Sequence, residues 1–194
     1  MSIVWQMNNN AEYLSELKSS DLSIRPAMHW EVQDILRLLR SAMVTYRTLG
    51  QIPEDRLDIS TETSRDVLKA IKSGFVFVAV DPNDQILATA RLRFMPLNRM
   101  HPVSLVNFPQ LSAQEQVAYF TRFAVDQRFR GIGIGSKMLD TCEKIARDEG
   151  LRAIVLHTAI SNESVAGFYL RRGYTTDSVD LSRGYPRGFF VKIL

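Results

Sequence analysis

"RFRGIGIGSKML", residues 128–139, places glycines at positions 131, 133 and 135 between two arginines and an apolar run that carries a lysine. Glycine makes no side-chain contacts and has low helix propensity. Three glycines at alternate positions therefore indicate that the backbone of this segment has a special role. The preceding residues 117–125, VAYFTRFAV, predict a strand, and the apolar residues that follow recur with helical spacing. Because the first N–H groups of a helix have no partner within it, a strand, a glycine turn and a helix in this order predict an anion-binding site.

A pyrophosphate is the anion that we expect in this turn. The backbone of residues 131–136 lets phosphate oxygens approach its N–H groups, and Arg128 and Arg130 would add positive charge at the rim. A P-loop requires Gly-Lys-Ser/Thr, but here Ser136 precedes Lys137. A dinucleotide-binding fold requires G-x-G-x-x-G and a second βαβ half, whereas this chain has G-x-G-x-G late in its length. Neither of these familiar phosphate loops is present.

The rest of the chain predicts a single mixed α/β domain over residues 21–194, preceded by an N-terminal extension over residues 1–20. Apolar periodicity and turn residues indicate the order β-α-α-β-β-β-α-β-α-β-β. Residues 95–116 contain three prolines, and the pattern does not define their shape. The predicted strands cover 22–27, 75–80, 85–94, 117–125, 152–158, 174–181 and 188–194, and the predicted helices cover 29–49, 61–74, 135–150 and 161–173.

Composition narrows the class of protein. The 194 residues carry a net charge of +3, with 45% hydrophobic and 23% charged residues, which is typical of a folded globular protein. The basic excess is too diffuse to indicate a nucleic-acid partner. Cys142 is the single cysteine, so no intramolecular disulfide and no cysteine-rich metal site are possible, and we expect no bound metal. No leader-like or membrane-spanning stretch is evident, so we expect a cytoplasmic protein without a membrane partner.

Residues 121–175 resemble the Gcn5-related N-acetyltransferase (GNAT) family. The acetyl-CoA loop of that family reads Gln/Arg-x-x-Gly-x-Gly/Ala, and Arg130, Gly133 and Gly135 fill this pattern. A second family signature lies on the following helix and is matched by Asn162, Ala166, Phe168, Tyr169, Gly173 and Tyr174. The spacing between the two motifs leaves room for the strand expected between them. The resemblance over residues 22–95 is one of element order only.

The resemblance implies a fold and a cofactor site. The fold is the GNAT-like acyl-CoA N-acyltransferase fold, an α/β architecture whose mostly antiparallel, twisted sheet is flanked by helices and splayed between its fourth and fifth strands. The fourth strand is expected to bulge there and to free an N–H that polarises the thioester carbonyl. Acetyl-CoA is the implied co-substrate. Its implied contacts are Phe123, Ala124, Val125, Arg130, Gly131, Ile132, Gly133, Ile134, Gly135, Ser136 and Asn162.

The same resemblance implies transfer of an acetyl group to a primary amine by direct attack in a ternary complex. Tyr169 is the expected general acid to the coenzyme A thiolate, although the same residue would also suit a purely apolar helix face. Asn162 is expected to bond the pantetheine arm, to cap its helix, or to do both. His157, near the end of the fifth strand, is the candidate general base, with Glu115, Glu163 or a chain of water molecules as alternatives.

The acceptor pocket is expected between the connection of the first two helices and the last hairpin. Tyr46, Tyr185 and Arg187 are available there, together with acidic residues of the connection, namely Glu54, Asp55 and Asp58. These carboxylates would suit a cationic amine, or they belong to a solvated loop. The acceptor is a small-molecule amine or a protein amine, and a homodimer is compatible with the sequence. Transfer of another acyl group, or a non-catalytic coenzyme A-binding regulatory domain, are the competing hypotheses.

Overall fold

A computed structural model describes residues 17–53, 56, 62–100 and 107–194. Within these residues the order of elements is the predicted one. The strands are β1 Ser23–Pro26, β2 Val76–Val80, β3 Ile86–Pro96, β4 Gln116–Val125, β5 Ala153–Ala159, β6 Thr175–Asp180 and β7 Arg187–Ile193. The helices are α1 Val32–Gly50, α2 Ser64–Lys72, α3 Ile134–Asp148 and α4 Glu163–Arg171. None of the helices in the described ranges has the length and apolar character to cross a membrane.

The strands form one sheet of seven in the described part of the chain, in the order β1-β2-β3-β4-β5-β7-β6. Neighbouring strands run antiparallel except β4 and β5, which are parallel. Pairing between these two strands is confined to Ala118 with Ile154 and Tyr119 with Val155. Beyond these pairs the strands separate, so the predicted splay is confirmed.

A β-bulge lies in β4 where the splay begins. Arg91 of β3 pairs with Thr121 and Thr89 pairs with Ala124, so the intervening Arg122 and Phe123 share a single opposing residue. Arg122 has a φ of +53°, a conformation that is uncommon for a side chain other than glycine. The extra residue also reverses the alternation of side chains along the rest of β4.

Helices cover both faces of the sheet. On one face, α1 and α2 pack against alternate residues of β2, which include Val76 and Val78. On the other face, α3 and α4 pack against the intervening positions, which include Phe77 and Ala79. This two-sided arrangement explains why β2 is apolar at every position rather than at alternate ones.

Helix α3 shows why the apolar stripe after the glycine turn folds as predicted. Met138, Leu139 and Cys142 are fully buried, and they recur at the spacing of one helix face. Burial raises the pKa of the Cys142 thiol to about 12. The cysteine is therefore a small core residue and not a reactive thiol.

The segment between β3 and β4 has a structural role that its prolines did not reveal. Leu97, Phe108 and Leu111 are buried against the α1 and α2 side of β5 and β7, where they form a third apolar cluster. Near the other end of the chain, Leu17 packs into the main core although it falls within the predicted extension. The boundary at residue 20 stays a prediction, because residues 1–16 lie outside the described ranges.

Candidate active site

A cavity of about 850 Å³ opens where β4 and β5 separate. Its walls include residues 119–125 of β4 and 156–158 of β5, together with the glycine turn, the end of α1 and the face of α4. Of the predicted cofactor contacts, it is lined by Phe123, Ala124, Val125, Arg130, Gly131, Gly133, Ile134, Gly135, Ser136 and Asn162. Ile132 instead packs against the main core.

The glycine turn forms one end of the cavity. Gly131 and Gly133 have φ values of +88° and +93°, so both occupy backbone conformations that favour glycine. The first helical bond of α3 runs from the Lys137 N–H to the Gly133 carbonyl at 3.0 Å. The preceding N–H groups at 134–136 therefore have no acceptor in the helix. This arrangement fits the predicted anion-binding role.

Gly135 has a different reason to be glycine. A Cβ at this position would lie 3.2 Å from Cζ of Phe123, closer than ordinary packing allows. Phe123 in turn stacks on Phe168 of α4, with ring centroids 6.1 Å apart. Gly135 therefore leaves space for the Phe123 and Phe168 rings, which line the cavity. The sequence did not predict this packing role.

The two arginines of the turn have different surroundings. Arg130 lines the cavity and its Nε donates a hydrogen bond to the Val125 carbonyl at 3.3 Å. Arg128 pairs with Asp126 at 2.7 Å and lies over the Phe129 ring. Arg128 was expected to add positive charge at the rim of the turn. Its guanidinium is instead paired with Asp126, and Arg128 is not among the described residues that line the cavity.

Tyr169 lies on the α4 side of the cavity and is 4% exposed. Aromatic rings surround it, including Phe168 with a centroid distance of 5.2 Å and Tyr174 at 5.5 Å. Burial raises the pKa of the Tyr169 phenol, so the group keeps its proton. The residue is both a core side chain and a protonated hydroxyl bordering the cavity, so the two predicted roles are compatible.

Asn162 and Tyr46 tie α1 and α4 to the end of β5. The Asn162 side chain accepts a bond from the Val165 N–H at 3.3 Å, which confirms its predicted role as a helix cap. Its amide also donates to the Tyr46 carbonyl at 3.4 Å. The Tyr46 hydroxyl accepts a bond from the Ala159 N–H at 2.6 Å and lies 3.2 Å from the Thr158 hydroxyl. Tyr46 is thus part of the cavity wall.

His157 lies on the opposite side of the sheet from Tyr169. Its Nδ1 is 3.3 Å from the hydroxyl of Tyr119 on β4, and both residues line the cavity. The His157 ring also packs against Phe189 with a centroid distance of 4.9 Å. The hydrogen bond between Nδ1 and the Tyr119 hydroxyl restrains the orientation of the imidazole ring. Tyr119 was not singled out in the sequence because it reads as an ordinary strand residue.

The predicted acceptor residues are only partly described. Tyr185 and Arg187 line the cavity near its β7 side. Arg187 forms an ion pair with the buried carboxylate of Asp180. Glu54, Asp55 and Asp58 lie outside the described residues, so their proposed role stays a prediction. The described residues contain no group of three or more His, Cys, Asp and Glu side chains arranged to hold a metal ion.

A buried carboxylate holds the bulge of β4. Glu62, whose side chain is 2% exposed, accepts a hydrogen bond from Arg91 of β3 at 2.6 Å and another from Nε of Arg122. It therefore bridges the two strands at the bulge, including the residue with the left-handed backbone. Its position just before α2 lies far from both strands in sequence, so no local pattern could reveal the contact.

Comparison with known proteins agrees with this geometry. The profile of the acetyltransferase (GNAT) family matches residues 36–174. N-alpha-acetyltransferase 30 of Schizosaccharomyces pombe is 32% identical over 56 residues, which cover 29% of this chain and only 37% of that relative.

Solved structures share the fold. A GNAT-family acetyltransferase from Listeria monocytogenes has a TM-score of 0.68 at 19% identity, over 89% of this chain and 95% of the other. The PaiA N-acetyltransferase of Thermoplasma acidophilum, solved with coenzyme A, has a TM-score of 0.69 at 16% identity, over 89% and 99% of the two chains.

Because the profile covers most of its length, the chain belongs to the GNAT acetyltransferase family. The structural likeness confirms the predicted fold.

The role of Glu62 can be tested by Glu62→Gln. The change leaves two guanidinium groups without their shared carboxylate, so we expect the free energy of unfolding to fall by about 3 kcal/mol. Denaturant-induced unfolding measures this loss.

Asp148→Asn is the control for Glu62→Gln, because Asp148 pairs with Lys144 at an exposed position. Its loss should stay below about 0.5 kcal/mol. Equal effects of the two substitutions would contradict the bridging role of Glu62.

Proposed function

We propose that this protein transfers the acetyl group of acetyl-CoA to a primary amine by direct attack within a ternary complex. The observation that carries the proposal is the cavity, which runs from unpaired N–H groups at the glycine turn to the gap between β4 and β5. A diphosphate at the turn and a thioester in the gap would use both ends of one continuous space.

The cofactor lies along residues whose backbone is available to it. Residues 123–125 of β4 follow the last pair with β5, so β5 does not occupy their edge and it can bond the amides of an extended pantetheine arm, with the Val125 carbonyl shared with Arg130. N–H groups freed at the bulge are the candidates to polarise the thioester carbonyl and to stabilise the oxyanion. Asn162, already a cap, has a second amide hydrogen available for the same arm.

The two proton-transfer groups lie on opposite faces of the sheet. Tyr169 belongs to the core cluster of α3 and α4, whereas His157 packs with Phe189 on the other face. The amine nitrogen attacks the carbonyl carbon and loses its proton to His157. The carbon–sulfur bond then breaks, and the thiolate receives the Tyr169 proton.

A buried phenol is suited to this step. Because its pKa is raised, Tyr169 remains protonated well above neutral pH. The general acid is therefore present in essentially every molecule at neutral pH. The apolar surroundings that disfavour phenolate also disfavour a thiolate beside it and raise the pKa of that thiol, so the departing sulfur has an increased tendency to take up a proton. After the products leave, Tyr169 takes a proton from solvent and His157 releases one to solvent, so both groups return to their starting states.

The direct test combines acetyl-CoA with a panel of amines and measures release of free coenzyme A together with the acetylated amine by mass spectrometry. Release of both in equal amounts supports the proposal. Coenzyme A binding without turnover across the panel would favour a regulatory binding domain instead. Faster turnover with a longer acyl-CoA would identify another acyl group as the natural donor.

Tyr169→Phe removes the acid without changing the shape of the core. We expect kcat to fall about 100-fold, because general acid catalysis is worth that much, while coenzyme A affinity stays within twofold. Steady-state kinetics and calorimetry measure the two quantities.

Tyr174→Phe is the matched control for Tyr169→Phe. Its hydroxyl bonds Glu143 at 3.2 Å, so its loss should lower stability while kcat is retained. An unchanged kcat in Tyr169→Phe would remove the acid from the mechanism.

His157→Gln tests the base through the pH dependence of kcat/KM. We expect a loss of about 100-fold near neutral pH and disappearance of the acid limb of the profile. Tyr119→Phe should move that limb along the pH axis without abolishing it, because Tyr119 positions the imidazole. Should the acid limb survive in His157→Gln, the base is another group or water.

Gly133→Val tests the glycine turn. A β-branched residue is strongly disfavoured at a φ of +93°, so the turn should reshape and coenzyme A affinity should fall more than tenfold by calorimetry. Gly150→Val is the control, because Gly150 has a φ of +74° at the other end of α3. Equal affinity in the two variants would overturn the assignment of the turn.

A further inference from the structure

Arginine is the prevailing charged residue among the described residues that line the cavity. No Asp or Glu is found among the described residues that line it. The lining arginines are Arg56, Arg91, Arg93, Arg99, Arg122, Arg130, Arg171, Arg183 and Arg187. Such a concentration of guanidinium groups in a partly enclosed space attracts anionic ligands.

Some of these charges already have partners. Glu62 is shared by Arg91 and Arg122, and Asp180 pairs with Arg187. Arg93 and Arg99, in contrast, contact no carboxylate in the described part of the chain. Their charges are therefore available to a ligand.

Arg93 lies on the acceptor side of the sheet, and Arg99, just beyond the end of β3, lines the same cavity. Arg93 of β3 pairs directly with Tyr119 of β4, so the two side chains share a face. Tyr119 in turn contacts His157 of β5 at 3.3 Å. Arg187 of β7 is two residues from Phe189, the strand partner of His157, and projects from the same face. The candidate base is thus flanked by arginines within one row that crosses four strands.

The electrostatics of Tyr119 agree with this placement. Burial raises the pKa of its hydroxyl, and positive charges around it act in the opposite direction. Those charges come from Arg187, Arg122, Arg93 and Arg183. A second cation, such as the far end of a polyamine, would meet repulsion at this point, whereas an anion would meet several donors.

We propose that the acceptor is an amine that also carries an anionic group, a carboxylate or a phosphate, which binds Arg93 and Arg99 while the amine reaches His157. The inference rests on the proposed acetyl transfer and names the acceptor class for it. The positive surroundings also favour the neutral form of the amine, which is the form that attacks. Arginine suits both anions, because its planar fork bonds two oxygens at once.

The test on the unmodified protein uses acceptors matched in shape and different in charge. The pairs are amino acids with their amides, phosphoethanolamine with ethanolamine, and peptides beginning with Asp or Glu with their Asn or Gln counterparts. A polyamine represents the cationic class. We expect kcat/KM to be at least tenfold higher for the anionic member. The pair with the largest ratio distinguishes a small carboxylate, a phosphate and an acidic peptide as sources of the anion.

Arg93→Gln and Arg99→Gln test the binding residues. Each should raise KM for the preferred anionic acceptor about tenfold and leave both kcat and the KM for acetyl-CoA unchanged. KM for the uncharged partner should not move. Arg40→Gln, at an exposed position of α1 away from the cavity, should alter none of these constants.

The outcomes separate the two proposals. Turnover that is equal within each pair, or highest with the polyamine, would overturn the anionic acceptor while acetyl transfer stands. The polyamine result would point instead to the acidic residues of the α1–α2 connection. Failure of every amine to release coenzyme A would reject acetyl transfer, and the acceptor class with it.

Discussion

Between Tyr119 and Val125, β4 gives up its hydrogen bonds to β5, and the rest of the structure is arranged around that separation. Buried backbone groups without partners are costly, so a sheet opens only where something else holds its strands. Here the bulge at Arg122 is clamped to β3 through the buried carboxylate of Glu62. On the other side, Tyr46 binds the backbone at the end of β5. The gap is therefore a rigid opening, which is what a reactive thioester requires for a fixed orientation.

The opening passes through the sheet, so each face contributes different chemistry. The α3 and α4 face is aromatic and apolar around Tyr169, and burial there keeps the phenol protonated. On the other face, the residues that border the gap include His157, Tyr119 and several arginines. In the proposed mechanism, donor and acceptor enter from opposite sides and meet at the gap. This geometry favours direct transfer over a covalent enzyme intermediate.

Local signals predicted the order of elements, the anion-binding turn and the two motif helices, because periodicity, caps and positive-φ glycines depend on neighbours in the chain. What local signals missed depends on contacts between distant segments. Glu62 bridges β3 and β4 from the start of α2, and Tyr119 meets His157 across the splay. The sequence shows that Arg91 and Arg93 are two residues apart on a predicted strand and so share one face. It does not show which face of β3 borders the cavity. Gly135 was read as a ligand contact, although Phe123 also requires it.

Cys142, which is buried on α3, determines whether the protein has a reactive thiol of its own. It is the sole cysteine of the chain, it is inaccessible to solvent, and its thiol ionises only near pH 12. The folded enzyme accordingly offers no sulfur nucleophile that could intercept an activated acyl group or form a mixed disulfide with its by-product. A chromogenic disulfide reagent will therefore react with free coenzyme A and not with the folded polypeptide.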